Sequence, residues 1–436
     1  MQIEPPNEPE AGTDSVDSAG TLELRDRNVY ILGAGFSKPA GAPLIHDFLD
    51  CSRRFLDAPF GVIGKSNSTQ REPFETVFKY MNQMSRAHAK VNIDLLNIEE
   101  LFGLVEISSR LDPQHMQKIR DSTVLMIART LDWATRDITC RPKVRIGSFG
   151  DAALWSRQTG ISPESFQVNK VPPAGDYLHM DVYTYFAALA AGLLDDPSRR
   201  RFRRDSVITF NYDLVLDYAF YQVGVTPDYH LQSGEEDPDW KPTSRTCPLF
   251  KLHGSINWGE CSECGTQLRI GYRKPSDSPL WYPPQCCPYC RNREQFFQPL
   301  LVPPSWDKSG HRDVLAPVWA EALQEMKAAK RICVIGYSMP KSDAFFKYLM
   351  ALALAENDRL SQLIVVDINP EVETRWEEFL DPKFAERRFE FNPQGLIGYV
   401  LNKKNLEALG RGEDLKDKTV RELMHPPAPP HWDSSP

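Results

Sequence analysis

Short apolar segments that end at a polar residue or a glycine recur along this chain, and they restrict the fold more than any other feature. They are NVYIL before Gly33, SVITF before Asn211, LFKL before His253, RICVI before Gly336 and QLIVV before Asp367. Helical patterns such as AFFKYLMALALAE follow them. Alternating strands and helices predict a parallel α/β sheet whose ligand binds at the carboxyl ends of the strands.

Length and composition are those of a globular protein with two or three folding units. The chain has 436 residues, 41% hydrophobic and 25% charged, and a net charge of −8. This acidic balance does not favour direct nucleic-acid binding. No apolar stretch approaches the roughly 20 residues that cross a bilayer, and the acidic start MQIEPPNEPEAG is unlike a secretory signal. We therefore expect a cytoplasmic protein without a membrane segment.

Changes in pattern divide the chain into predicted units. Residues 1–26 have the composition of a disordered acidic tail, and 406–436 form a C-terminal tail. The predicted strands fall in 27–43 and 205–405, and RFEFNPQGLIGYV could supply the last of them. The intervening residues 44–204 are predicted to form a mostly helical insertion, because apolar residues recur there every three or four positions.

Two finer expectations concern the insertion. The polar stretch 140–175 is rich in glycine and proline, which predicts a loop. In NIEELFGLVE, Glu99 and Glu100 are expected on the solvent side of a packed helix.

The glycine-rich loop ILGAGFSKPAGAP is a candidate phosphate site. Glycines at 33 and 35 let a backbone turn tightly and approach an anion, and a helix start would add free amides. The next glycine, Gly41, does not fit the G-x-G-x-x-G spacing of dinucleotide folds. A tight turn after a core strand is the alternative.

Asn211 and Asp213 flank Tyr212 where a predicted strand meets a helix. Both side chains could cap the helix, or they could face a ligand at the sheet edge. His253, followed by Gly254, ends another strand. Histidine titrates in the range that suits proton transfer near neutral pH, although a lone histidine is usually structural.

Two later strand ends add polar groups. In VIGYSMPKSD, Gly336 and Ser338 could approach a phosphate or a ribose. In VVDINP, Asp367 or Asn369 could bond ribose hydroxyls, as an acidic strand-end residue does in dinucleotide folds. An ordinary turn between helix and strand is the alternative for each.

Two CxxC pairs predict a structural zinc site in a small ribbon module over 258–298. The four thiolates would leave no open coordination position on Zn²⁺. Cys286 is an alternative ligand, and a redox role for the pairs is the other possibility. The predicted ligands are Cys261, Cys264, Cys287 and Cys290.

Taken in order, these stretches resemble the sirtuin family of NAD-consuming proteins. The shared order is a GAGxSxxxGxP loop, a TxN-x-D turn, an HG pair, two CxxC pairs, a GxS turn and a strand-end IN, over residues 28–43 and about 205–370. The resemblance implies a Rossmann-like NAD-binding domain with a zinc module. Asn211 and Asp213 would line the nicotinamide-ribose pocket, and His253 would transfer a proton. Cofactor contacts are implied for Gly33, Ala34, Gly35, Ser37, Gly336, Ser338 and Asn369.

Departures from the deacylase pattern favour one branch of this resemblance. Residues 43–46 are PLIH where sirtuin deacylases have Asp-Phe-Arg, and Phe210 stands where they have glutamine. PLLVPPSWDK replaces their acyl-peptide groove motif around Phe-Gly-Glu. The NYD turn and the GYSMPKSD wording instead resemble sirtuin-like domains of bacterial antiphage defence systems.

That branch implies NAD⁺ hydrolysis. It also implies a homo-oligomer and a protein partner, such as a HerA-like ATPase or a phage-sensing component. The alternatives are an NAD-dependent protein-lysine deacylase or ADP-ribosyltransferase, and a non-catalytic sensor of NAD or an ADP-ribose-like nucleotide.

Overall fold

A computed structural model describes the chain from Arg27 to Leu401, with gaps. The described ranges are 27–57, 68–88, 90, 93–137, 141–148, 167–171, 175–194, 205–231, 235–236, 245–261, 267–269, 297–303, 312–340 and 343–401.

Seven parallel strands form the central sheet, which confirms the predicted α/β class. Their order is β14-β13-β12-β1-β5-β8-β6, and every neighbouring pair is parallel. β1 is buried along its whole length, as expected for a strand covered on both faces. The strands are β1 Asn28–Leu32, β5 Ser206–Thr209, β6 Thr226–Asp228, β8 Thr246–Lys251, β12 Arg331–Ile335, β13 Gln362–Val366 and β14 Phe389–Asn392.

Helices cover this sheet and share one apolar core with it. Side chains such as Phe186, Phe220 and Trp376 are buried in that core beside Tyr30 of β1. Asp181, Asp343 and Asp381 cap three of the helices through their carboxylates. The helices are α1 Ala34–Ser37, α6 Val182–Ala190, α7 Val215–Gln222, α8 Arg312–Ala328, α9 Ala344–Ala355, α10 Glu371–Phe379, α11 Pro382–Arg388 and α12 Gly395–Leu401.

Four further helices build a second core, here called the helical module. They are α2 Phe48–Asp57, α3 Ser68–His88, α4 Ile98–Leu111 and α5 Pro113–Ala134. Phe55 stacks on Phe74 in this core, with ring centroids 4.7 Å apart. Ile256 and Leu301, which come from beyond the ends of the central strands, are buried in the same core. The module therefore packs directly against the edge of the sheet where the predicted site lies. Among the helices of the described ranges, none is both long and apolar enough to cross a membrane.

The loop predicted over 140–175 is wrong where the structure describes it. Two strands lie there, β2 Lys143–Ser148 and β3 Gln167–Val171, and both pair antiparallel with β4 Gly175–Asp181, in the order β2-β4-β3. Their glycines and lysines hide the strand pattern, because pairing across the chain rather than local alternation of apolar residues supports them.

A smaller sheet has its longest strand, β9, directly after His253. Its order is β11-β9-β10-β7, with β7 Glu235–Glu236, β9 Gly254–Cys261, β10 Gln267–Arg269 and β11 Phe297–Leu301. Cys261 is the last residue of β9. The other three predicted zinc ligands and Cys286 lie outside the described residues, as do the two tails, so the zinc site stays a prediction.

A buried polar pair ties the amino ends of two central strands. The backbone and side-chain amides of Asn28 donate to the Asp205 carboxylate at 3.1–3.2 Å, and both residues are buried. This contact lies at the sheet edge opposite to the predicted site, because strands β1 and β5 begin here and run parallel.

Replacing Asp205 with alanine should destabilise the fold. The two Asn28 donors would stay buried without their acceptor, at a cost of about 1–3 kcal/mol for each such group. Urea unfolding measures this cost. The exposed Asp358→Ala variant is the control and should unfold like the wild type. Equal midpoints for the two variants would contradict the structural role of Asp205.

Candidate active site

A cleft of about 540 Å³ opens at the carboxyl ends of the central strands. The sheet side supplies strand-end residues, and the helical module closes the opposite side. Among the predicted site residues, those that line the cleft are Ala34, Gly35, Asn211, Asp213, His253, Gly336, Ser338 and Asn369. From the module come Ile98, Glu99, Phe102, Ile127 and Leu131. The parallel arrangement thus brings together groups that are far apart in sequence.

The amide of Asn211 ties the β5 turn to the glycine loop after β1. Its Nδ2 donates to the Gly33 carbonyl at 2.9 Å and to Ser37 Oγ at 3.0 Å. Gly33 and Ser37 therefore lie directly behind Asn211 and hold it. Within the described part of the chain, no group donates to its Oδ1. This oxygen is the atom of Asn211 left for a ligand.

The helix-capping alternative applies only in part. Helix α7 has Leu214 at its N-cap, and that residue has no capping side chain. Asp213 accepts a hydrogen bond from the Val215 amide at 3.0 Å, as in an Asx turn. The hydrogen bonds of the Asn211 side chain go to Gly33 and Ser37 and not to the start of helix α7, so capping does not explain its presence.

Asp213 is a buried carboxyl whose pKa is raised. Burial removes the hydration of its charged form, and this is the largest effect on its pKa. The positive charge of Lys251 and hydrogen bonds from the Val215 amide and Ser37 oppose the rise. A carboxyl of this kind can stabilise positive charge that develops in the cleft, where solvent screening is weak.

Backbone contact between two loops explains three of the predicted glycines. The Gly35 amide donates to the Gly336 carbonyl at 2.9 Å, and the Gly33 amide donates to the Ile335 carbonyl at 3.1 Å. A Cβ on Gly336 would lie 2.3 Å from the Phe36 nitrogen, and its φ is +63°. These glycines thus permit the two loops to approach each other closely. The amides of Gly33 and Gly35 are already bonded within the protein.

His253 lines the cleft but is almost fully buried, with 3% of its surface exposed. Phe210 packs edge-on against its ring at 5.2 Å, and the Trp319 ring lies 6.3 Å away. Gly254 follows because its φ is +87° and a Cβ there would lie 2.0 Å from the Leu300 carbonyl oxygen. In the HG pair, the histidine therefore lines the cleft and the glycine allows the close approach of β9 to β11.

The β13 end supplies polar groups that already hold the local turn. Asp367 Oδ1 accepts from the Asn369 amide at 2.9 Å, and Asn369 Oδ1 accepts from the Glu371 amide at 3.0 Å. Burial raises the pKa of Asp367, and the nearby Arg375 opposes this. Arg375 also donates to the Ser338 carbonyl at 3.3 Å and links the β12 and β13 turns.

Sequence reasoning misplaced or missed several residues in and beside the cleft. Glu99 was expected to face solvent, but it lines the cleft from the first turn of α4. The Tyr337 hydroxyl donates to Asp343 at 2.8 Å, and both residues line the cleft. Lys251 lies just behind Asp213. The sequence contains a pattern that could have identified this lysine: polar residues alternate in KLHGSIN, and this period places them on one side of an extended chain.

Comparisons with known proteins bear on this same part of the chain. A family model described as a SIR2-like domain matches residues 205–274. That segment contains Asn211, Asp213 and His253. The match thus spans three of the side chains that line the cleft. No curated protein matches this chain.

Two solved structures show a weak similarity. One is Sir2Tm bound to a propionylated peptide, at 12% identity and a TM-score of 0.34, covering 88% of this chain and 94% of that chain. The other is Sir2 with an inhibitor, 2′-O-acetyl-ADP-ribose and a deacetylated peptide, at 12% identity and a TM-score of 0.33, covering 88% and 95%. TM-scores of this size do not establish a shared fold.

Replacing Asp213 with asparagine should stabilise the fold at neutral pH. Because the folded-state pKa of Asp213 is raised above its ordinary value of 3.8, the carboxyl favours folding below that value. This contribution is lost as the pH rises through the folded-state pKa. Asparagine keeps the acceptor for Val215 and carries no charge. The gain of Asp213→Asn over wild type, measured by urea unfolding, should be largest near pH 7.5 and shrink towards pH 4. A gain that grows on acidification would contradict the raised pKa.

Proposed function

We propose that this chain is an NAD⁺ glycohydrolase, which cleaves NAD⁺ into nicotinamide and ADP-ribose. One observation carries the proposal. Asn211, Asp213 and His253 line a single cleft at the carboxyl edge of a parallel sheet, and all three fall within the segment that matches the SIR2-like model. Parallel α/β sheets bind their ligands at this edge.

The cleft suits a nucleotide in size and lining. Small-molecule sites commonly have volumes of roughly 300–1,000 Å³ with mainly apolar walls and a few placed polar groups, and this cleft has about 540 Å³. The proposed cofactor contacts along it are Ala34, Gly35, Gly336, Ser338 and Asn369, with Gly33 and Ser37 behind them.

The three central side chains can divide the work of hydrolysis. Breaking the bond between nicotinamide and ribose leaves positive charge on the sugar, which the Asp213 carboxylate would stabilise. Asn211 Oδ1 would position the ribose or the attacking water. His253 would accept a proton from that water or from a ribose hydroxyl. Water at C1′ gives ADP-ribose, whereas an acyl-lysine oxygen there would lead to deacylation.

Burial of one segment favours water over an acyl peptide as the second reactant. Residues 299–303 stand where sirtuin deacylases carry their peptide-groove motif, and all five are buried. The Val302 amide donates to the His253 carbonyl at 2.9 Å, and its carbonyl accepts from the Tyr212 hydroxyl at 2.7 Å. Leu301 is packed into the core of the helical module. The described part of this segment, residues 299–303, is thus covered.

NAD⁺ turnover by the purified chain tests the proposed reaction. Wild type should release nicotinamide and ADP-ribose, resolved by mass, without any added peptide. His253→Ala and Asn211→Ala should lower the rate by about 10²–10⁴-fold, the range of general acid–base catalysis. Leu111→Ala, at an exposed position of α4, is the control and should match wild type.

The same assay separates the rival activities. Turnover that requires an acetylated peptide would replace hydrolysis by deacylation, and transfer of ADP-ribose to protein would indicate a transferase. NAD⁺ binding without turnover, in both the presence and the absence of peptide, would indicate a nucleotide sensor.

The proposed biological setting is NAD⁺ depletion in bacterial antiphage defence, with a homo-oligomer gated by a second protein such as a HerA-like ATPase or a phage-sensing component. The sequence resemblance supports this setting. Co-purification of the chain with proteins encoded beside it, followed by turnover assays of the complex, tests it. Identical turnover with and without every such protein would remove the gating role.

We also propose a structural Zn²⁺ held by Cys261, Cys264, Cys287 and Cys290. The sequence spacing of the two CxxC pairs supports it. Elemental analysis should find one Zn²⁺ per chain in the wild type and a loss of metal in Cys264→Ser and Cys290→Ser. Cys286→Ser is the matched control and should keep its zinc. Retention in the first two variants, or loss in the third, would reassign the ligands.

A further inference from the structure

A buried lysine lies behind the proposed catalytic turn. Lys251 is the last residue of β8 and has 1% of its surface exposed. Its ammonium donates to the Asp213 backbone carbonyl at 2.7 Å, to Asp217 Oδ2 at 2.9 Å and to Ser255 Oγ at 2.8 Å. A lysine has three N–H donors, and each has one acceptor here. The side chain is therefore held in a single position.

These contacts are part of a closed hydrogen-bonded ring, here called the Lys251 ring. Its members in order are Lys251, Ser255, Asn257, Tyr229 and Asp217. Ser255 Oγ donates to Asn257 Oδ1 at 2.6 Å, Asn257 Nδ2 donates to the Tyr229 hydroxyl at 3.4 Å, and that hydroxyl donates to Asp217 Oδ1. Asp217 Oδ2 then accepts from Lys251. Donors and acceptors alternate without conflict, and all five residues are buried.

The Lys251 ring is anchored to both strands that carry the proposed catalytic groups. Lys251 stands two residues before His253, and its register partner on β5 is Thr209, two residues before Asn211. Its hydrogen bond to the Asp213 carbonyl links the end of β8 to the turn that follows β5. Ser255, two residues after His253, accepts a hydrogen bond from the same ammonium. One cation thus connects the segment 211–213 to the segment 253–255.

We propose that Lys251 is the positioning residue of this site, which holds the Asn211–Asp213 turn in register with His253. The inference rests on the proposed function for its catalytic meaning. Lys251 does not line the cleft itself, so it acts through the turn. Small displacements of reacting groups lower rates steeply, by roughly 10²-fold for about 1 Å.

The test uses a variant designed to fold. Lys251→Met alone would leave Asp217 as an unpaired buried charge, so it is combined with Asp217→Asn, which keeps an acceptor for Tyr229. This double variant removes the donor to the Asp213 carbonyl. Its kcat for NAD⁺ should fall roughly 10- to 100-fold, with a much smaller change in KM, because the cleft walls are intact.

Two controls isolate positioning from lost stability. Asp205→Ala weakens the opposite edge of the same sheet and should keep the wild-type kcat at a temperature where it is folded. Tyr229→Phe opens the Lys251 ring on its far side and leaves the bond to the turn, so its kcat should stay close to wild type. Equal kcat losses in the double variant and in either control would overturn the proposal.

Hydrogen exchange supplies a readout that does not depend on turnover. The Ile256 amide donates to the Tyr212 carbonyl at 3.1 Å and so reports on the position of the turn. Exchange in peptides covering 210–218 and 252–258 should accelerate in the double variant and not in Asp205→Ala. If wild type does not hydrolyse NAD⁺, the proposed function fails, and exchange alone decides the role of Lys251. Unchanged exchange in the double variant overturns it.

Discussion

The contact between the loops after β1 and β12 is the constraint on which the cleft depends. Gly35 and Gly336 meet backbone to backbone, with a hydrogen bond of 2.9 Å between them. Any side chain at these positions would separate the loops, because a Cβ on Gly35 would lie 2.8 Å from the Gly336 Cα. Asn211 then reaches the same loop through the Gly33 carbonyl. The floor of the cleft is thus a set of backbone contacts that leaves little freedom for the groups above it.

Two apolar cores border the cleft. The central sheet and its helices form one, and the helical module forms the other. Tyr212 connects the turn to the helical module. Its neighbours Asn211 and Asp213 face the cleft, while its own ring packs against the module core and its hydroxyl donates to the Val302 carbonyl. A shift of the helical module would therefore act directly on the turn that carries Asn211 and Asp213.

Burying several charged groups beside the cleft costs stability, which the surrounding apolar packing offsets. Asp217 and Lys251 form a pair with 2% of each side chain exposed. Removing one partner from such a pair typically costs about 3–5 kcal/mol, whereas replacing both can be nearly neutral. The raised pKa of Asp213 shows that its own compensation is incomplete. Groups kept under such conditions are commonly functional, because packing alone would be served better by apolar residues.

The sequence alone was enough to predict six of the seven strands of the parallel sheet, all except the short edge strand β6, and the edge at which the polar residues gather. Strand and helix patterns are local, and the rule that parallel strands present their carboxyl ends together is general. The local pattern predicted the last strand, β14. The rule for parallel strands predicted that Asn211 and His253 lie at one edge. The prediction of a zinc module rests in the same way on a local pattern, the spacing of the two CxxC pairs.

Only the tertiary structure could decide which residues meet. Lys251 lies in the apolar strand LFKL, and its acceptors on Asp213 and Asp217 lie 38 and 34 residues away in sequence. Glu99 comes to the cleft because the helical module packs over the sheet edge. Strands β2 and β3 exist because both pair with β4. Local patterns specify elements, but contacts between distant segments depend on how the chain closes on itself, which no single stretch of sequence encodes.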